Sequence, residues 1–251
     1  MSITTPPSSD PHGRSPDVHA VLIPGYWLGA WAWGGVEPGL RSEGVVPHAV
    51  TLPGLDGTDT TGITLGDHVD AVGALVDALV GDVVLVAHSG GGAVAQMVID
   101  RSPERIRRVI YVDAGPLRNG VALFPDAAAD LELPSWETLA AHGSSLDGIE
   151  SHELERFRRL ARAHPAGVAS APVVVSNEER LGVPTSVVCT SLPSSVLTEM
   201  VANDQIPSEL LELDDVHYVD LPTGHWPMLS RPADLAAALC SEIGIETSAS
   251  A

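Results

Sequence analysis

The chain has 251 residues and a formal net charge of -20, from 33 acidic against 13 basic residues. That field repels nucleic acids and anionic membrane surfaces, and no stretch is long and apolar enough to span a bilayer. All 13 basic residues are Arg, so Schiff-base and pyridoxal chemistry, which needs a lysine, is excluded.

Residues 1–17 are rich in Ser, Thr, Pro and Asp, with neither the basic start nor the apolar run of a secretory signal. They read as a disordered tail. Cys189 and Cys240 have no CxxC or metal-ligand spacing. They read as free thiols, which suits a reducing, cytoplasmic compartment.

The first strand runs from Val18 to Ile23 and leads into the Trp-rich loop from Pro24 to Trp33. A short helix is expected within residues 34–42 and a strand over 45–52. Thr64, with Asp67 three residues on, marks a helix start. An apolar stripe then runs through Val69, Val72, Leu75, Val76, Leu79 and Val80 at helical spacing. Val83 to Ala87 is an uninterrupted apolar run, the mark of a strand buried on both faces. A mostly apolar helix follows, and then a strand from Ile106 to Val112. This β/α alternation predicts parallel strands joined by right-handed crossovers. It lapses over 115–183, where helices are expected at 135–142 and 151–164, and resumes with strands at 185–190 and 216–221 and helices at 194–202 and 232–243.

The turn after the central run reads Ala87-His88-Ser89-Gly90-Gly91. It is the small-x-Ser-x-small nucleophile elbow, with Ala in the first small position. A strand that turns sharply into a helix lifts the Ser89 hydroxyl above the sheet and aims the helix N-terminus at whatever reacts there. The glycines lack the spacing of a dinucleotide fingerprint, and a P-loop would need a lysine.

In a parallel α/β sheet, catalytic groups lie beyond the carboxyl ends of the strands. The strand ending at Val112 offers Asp113. The last strand leads to Gly224-His225-Trp226. Ser89, Asp113 and His225 thus stand in the chain order nucleophile, acid, base. A serine hydroxyl needs a general base, the role histidine suits; His225 is the candidate, and Asp113 would hold its tautomer. The alternatives are a turn or cap carboxylate for Asp113 and an ordinary loop histidine for His225. The backbone N–H groups of Gly90 and Tyr26 are the oxyanion-hole candidates. Trp27, Trp31, Trp136 and Trp226 are pocket candidates, each with ordinary packing as its alternative. His88 should point away into packing, and His217 is read as structural. No metal and no cofactor is expected.

These residues resemble the α/β-hydrolase superfamily over nearly the whole chain after the tail. Residues 21–33, Val-Leu-Ile-Pro-Gly-Tyr-Trp-Leu-Gly-Ala-Trp-Ala-Trp, are similar to the first-strand loop of the plant methylesterase and hydroxynitrile lyase group, with Pro24 in place of a His. The resemblance implies an α/β-hydrolase fold: a mostly parallel central sheet with helices on both faces and a small helical lid inserted after the sixth strand. Its core would be 18–114 and 184–247 and its lid 115–183. The resemblance also implies that the residue after Gly25, Tyr26, supplies an oxyanion N–H.

That group usually carries its acid after the strand matching 187–190, where this chain has Ser191-Leu192-Pro193-Ser194-Ser195 and no carboxylate. Other branches of the superfamily use the position of Asp113. Where the similar lyases carry a Lys after the histidine, Trp226 stands here. The expected activity is cleavage of a small, apolar ester or lactone through an acyl-enzyme. Thioesterase, carbon–carbon hydrolase, lyase or cyclase chemistry and a receptor-like binder remain alternatives. No nucleic acid or membrane partner is expected, and the oligomeric state is not legible.

Overall fold

A computed structural model describes residues 17–244. Apart from residue 17 the expected tail lies outside them, as do residues 245–247 of the expected core. In chain order the elements are β1 (Val18–Ile23), α1 (Glu37–Ser42), β2 (Val45–Ala49), α2 (Leu65–Ala78), β3 (Asp82–His88), α3 (Gly91–Arg101) and β4 (Ile106–Val112). Then come α4 (Trp136–Ala141), α5 (Ser151–Leu160), α6 (Ala166–Ala169), β5 (Thr185–Cys189), α7 (Ser194–Ala202), β6 (Val216–Asp220), α8 (Pro227–Ser230) and α9 (Pro232–Gly244).

Among the described residues the strands form one six-stranded sheet in the order β2-β1-β3-β4-β5-β6, with every pairing parallel. The pleat sends alternate side chains to opposite faces. Val21, Leu85 and Val109 pack under α2 and α3 with Val69, Val72, Val94 and Val98. Ala20, Leu22, Val84, Val86 and Ile110 pack on the other face with Leu40 of α1 and Leu235 and Leu239 of α9. Val83 to Ala87 is fully buried, as its unbroken apolar run requires.

The capping box at the start of α2 is formed: the Thr64 side chain accepts from the Asp67 N–H, and the Asp67 carboxylate accepts from the Thr64 N–H. The insertion between β4 and β5 holds α4, α5 and α6. It therefore follows the fourth strand of this six-stranded sheet, where the sixth was expected. Helix α5 stops at Leu160, four residues short of its expected end. His164 precedes Pro165 and is steered away from helical backbone. It pairs instead with Leu131, His164 N–H to the Leu131 carbonyl at 2.9 Å and Leu131 N–H to the His164 carbonyl at 2.8 Å. Phe157 of α5 is buried against Trp31, Trp136 and Trp226 and fastens the insertion to the sheet.

Candidate active site

Four neighbouring strands, β3 to β6, deliver the site. β3 leads directly into Ser89, which adopts a left-handed backbone (φ 49°). That conformation is costly for a residue with a Cβ. It is held by the Ser89 N–H, which donates to the Val112 carbonyl at 3.2 Å. Helix α3 starts two residues later and crosses β1 so closely that a Cβ on Gly91 would lie 2.6 Å from the Pro24 carbonyl oxygen. Small residues in the elbow are therefore a steric requirement.

Asp113 stands at the end of β4, also left-handed (φ 44°), with its N–H bonded to the Val188 carbonyl at 2.9 Å. The sheet order puts β4 between the nucleophile's strand and the two strands that lead to His225. The chain after β6 brings His225 back across this edge. The Ser89 hydroxyl donates to His225 Nε2 at 2.9 Å, and His225 Nδ1–H donates to Asp113 Oδ2 at 2.6 Å. The structure thus brings together all three residues singled out in the sequence.

The Asp113 carboxylate has further donors. The Ser191 hydroxyl reaches Oδ2 at 2.6 Å, and the N–H groups of Ser191 and Thr190 reach Oδ1 at 2.9 and 3.2 Å. Burial alone would raise the Asp113 carboxyl. The bond and charge of His225 and the two bonds of Ser191 outweigh burial and hold it well below the usual carboxylate range.

The loop bearing His225 is tied from two sides. His225 N–H donates to the Ser145 carbonyl at 2.7 Å, and Gly224 N–H donates to the Asp147 carbonyl at 3.3 Å. A Cβ on Gly224 would sit 2.5 Å from the Ser145 carbonyl oxygen, so only glycine fits that approach. On the other side His88 Nε2–H donates to the His225 carbonyl at 2.7 Å. Burial, with the nearby charge of His225, pushes the His88 ring down to about 3, so it is a neutral donor. His88 is packed, as expected, but against the backbone of His225 rather than away from the site. Its position next to Ser89 was the available signal. Nothing in the sequence announced Ser145 or Asp147.

Tyr26 and Gly90 border the space over Ser89, together with Trp27, Leu123, Phe124 and Ser144. The N–H groups of Tyr26 and Gly90 bond to no backbone carbonyl among the described residues. The loop carrying Tyr26 is clamped by the insertion: the Trp27 indole N–H donates to the Leu131 carbonyl at 2.8 Å, and Arg162 N–H donates to the Trp27 carbonyl at 3.1 Å. Trp27 itself is left-handed (φ 66°). The Tyr26 ring stacks on His164 at 3.8 Å. Of the four Trp candidates only Trp27 lines this space. Trp31, Trp136 and Trp226 surround Phe157 instead, because α5 needs an apolar seat on the core. His217 bonds Glu242 at 2.7 Å through Nδ1, away from the site.

The family model for the alpha/beta hydrolase family matches residues 20–238. The chain belongs to this alpha/beta hydrolase family. This hydrolase is 34% identical over 137 residues to a carbendazim hydrolyzing esterase from Nocardioides sp. (strain SG-4G), a match covering 51% of this chain and 55% of that one. It is 27% identical over 256 residues to Methylesterase 7 of Arabidopsis thaliana, covering 87% and 94% of the two chains. Its fold matches the crystal structure of an Arabidopsis methylesterase with a TM-score of 0.70 at 20% identity, over 90% of this chain and 98% of that one. Among the described residues no helix is long and apolar enough to cross a membrane, and no group of three or more His, Cys, Asp or Glu is placed to hold a metal ion.

Proposed function

We propose that this hydrolase cleaves a carboxylic ester or lactone of a small apolar molecule through an acyl-enzyme on Ser89. The observation that carries this reading is the unbroken chain of short contacts from Ser89 Oγ through the His225 ring to Asp113. The names of the relatives, a carbendazim hydrolyzing esterase and a methylesterase, support the bond class.

His225 Nε2 takes the Ser89 proton as Oγ attacks the carbonyl carbon. Asp113 fixes the tautomer that leaves Nε2 free and stabilises the imidazolium that forms. The developing oxyanion is held by the N–H groups of Tyr26 and Gly90, with the N-terminus of α3 adding its dipole. His225 then protonates the leaving alcohol. It next activates a water that attacks the acyl carbon and frees Ser89. Every proton in this sequence moves between side chains of this chain, substrate and water. The free thiols Cys189 and Cys240 fit a cytoplasmic setting.

Intact mass after treatment with a fluorophosphonate tests the reading. One adduct on the wild type and none on Ser89→Ala is expected. An unmodified wild type, or an adduct that survives Ser89→Ala, would overturn it.

A further inference from the structure

Behind the triad lies a second chamber. It has a volume of about 570 Å³, against about 280 Å³ for the space over Ser89. The two share Asp113, Ala114, Gly115, Leu117 and Leu123 as lining residues, so the larger space adjoins the reacting centre along the start of the insertion. Its volume falls in the range of about 300–1,000 Å³ typical of small-molecule sites.

The far wall is aliphatic: Val121, Val187, Leu197, Ile206 and Leu210. No Arg, Phe, Tyr or Trp is among the residues that line it. Most of its polar side-chain groups are already engaged. Ser191 donates to Asp113, and the Ser208 hydroxyl donates to the Pro116 carbonyl at 3.1 Å. His142 Nδ1 donates to the Thr138 carbonyl at 2.8 Å. Burial, with the charges of Asp220 and Asp113, pushes the Cys189 thiol up to about 12, so it stays a neutral, inert thiol. A charged or strongly polar group entering against the aliphatic wall would give up water and meet no partner there. An aromatic ring would find no Phe, Tyr or Trp to stack on. An aliphatic chain or alicycle would lose nothing polar and cover the aliphatic wall.

We propose that this chamber is the specificity subsite of the enzyme and takes an aliphatic group of the ester, borne on either its acyl or its alkoxy side. The proposal rests on the esterase reading above and goes further by naming the chemical class that is selected. The dense, aromatic-bordered space over Ser89 is left for the carbonyl and the smaller substituent.

Two ester series test it: p-nitrophenyl esters from acetate to octanoate, and alkyl benzoates from methyl to octyl. In the wild type kcat/KM should rise about threefold to fourfold per methylene along one series, the gain expected for burying a CH2. That series identifies the side of the ester that enters. Leu197→Trp and Ile206→Trp each place an indole in the chamber, one from α7 and one from the segment that follows it. Either should cut the ratio of the octanoyl (or octyl) rate to the two-carbon (or methyl) rate by at least about tenfold. The ratio is internal to each variant, so loss of folded protein does not mimic the effect. Flat chain-length profiles in both series would overturn the subsite while leaving the esterase reading in place. A steep profile that both variants preserve would also overturn it, since the chain would then lie elsewhere. Turnover of no ester in either series would overturn the esterase reading and the subsite together.

Discussion

The Ser191 hydroxyl donates to Asp113 at 2.6 Å, and the Ser191 N–H donates to the other oxygen of the same carboxylate at 2.9 Å. The turn after β5, which holds no carboxylate of its own, thus supplies the donors for a carboxylate that stands one strand away. The acid and its holder stand on neighbouring strands, and the edge between β4 and β5 is where they meet. Ser191 touches neither Ser89 nor the reacting carbonyl in this arrangement and acts by positioning Asp113. Ser191→Ala leaves two backbone donors in place and removes one charge-assisted bond of about 1.5–3 kcal/mol. We expect kcat/KM to fall about tenfold with little change in KM. Steady-state kinetics on one ester decide it, and an unchanged kcat would show that the backbone donors suffice.

Asp113→Asn keeps the shape and reverses the hydrogen bonding. An amide that donates to Nδ1 selects the wrong imidazole tautomer and leaves Nε2 protonated, unable to accept from Ser89. A fall in kcat on the order of 10³–10⁴ is expected. Near-normal turnover would remove Asp113 from the reaction.

The sheet and the three central residues were legible because each obeys a local rule. The apolar run at 83–87, the small residues around Ser89 and the Gly-His step after the last strand are contiguous in sequence. Asp113 was readable from its place directly after the apolar strand ending at Val112, and the lack of a carboxylate in the turn after β5 supported it. What escaped detection joins distant segments: His88 to the His225 carbonyl, Ser145 and Asp147 to the His225 loop, and Leu131 and Arg162 to Trp27. Most of these contacts end on backbone atoms, which carry no residue signature. The tryptophans misled for a related reason. Composition shows an apolar surface but not its destination, and Phe157 claimed three of the four.

The His88 bond gives a test of such distant contacts. His88→Phe fills much of the same volume but leaves the His225 carbonyl without its donor. The expected loss of stability is about 1–3 kcal/mol. Slack in the His225 loop should lower kcat by roughly tenfold with KM nearly constant. Urea titration and kinetics on the same preparation separate the two effects.

Gly224 gives a steric version of the same test. Gly224→Ala sets a methyl 2.5 Å from the Ser145 carbonyl oxygen and 2.8 Å from the Asp147 nitrogen, and both of these neighbours are backbone. The His225 loop must move, and a displacement near 1 Å costs about 10² in rate. Fluorophosphonate labelling of Ser89 should slow in parallel. A variant that labels and turns over normally would show that the insertion gives way at Ser145 without disturbing the base.

Acid sensitivity follows from two buried rings. Burial, with the added charge of His225, holds His88 near about 3. Burial, with the added charge of His68, holds His164 near about 3 as well. An unfolded histidine titrates at about 6.5, so between these values the unfolded chain binds protons that the native chain refuses. Stability therefore rises with pH across this window and is lost as pH falls from about 6.5 toward 3, by about 1.4 kcal/mol per pH unit for each ring. Asp113 adds a loss further down, starting where the unfolded carboxyl takes up its proton at about 3.9, because its native carboxyl is depressed. His164 contacts Tyr26 by stacking alone, and neither of its ring nitrogens has a protein partner. His164→Phe should preserve the stack and remove one proton from the linkage. Urea unfolding at pH 7, 6 and 5 should show the slope of stability against pH falling by about 1 kcal/mol per unit over this range, with the variant equal to or more stable than the wild type at pH 5. An unchanged slope would mean that His164 takes up its proton in the native state.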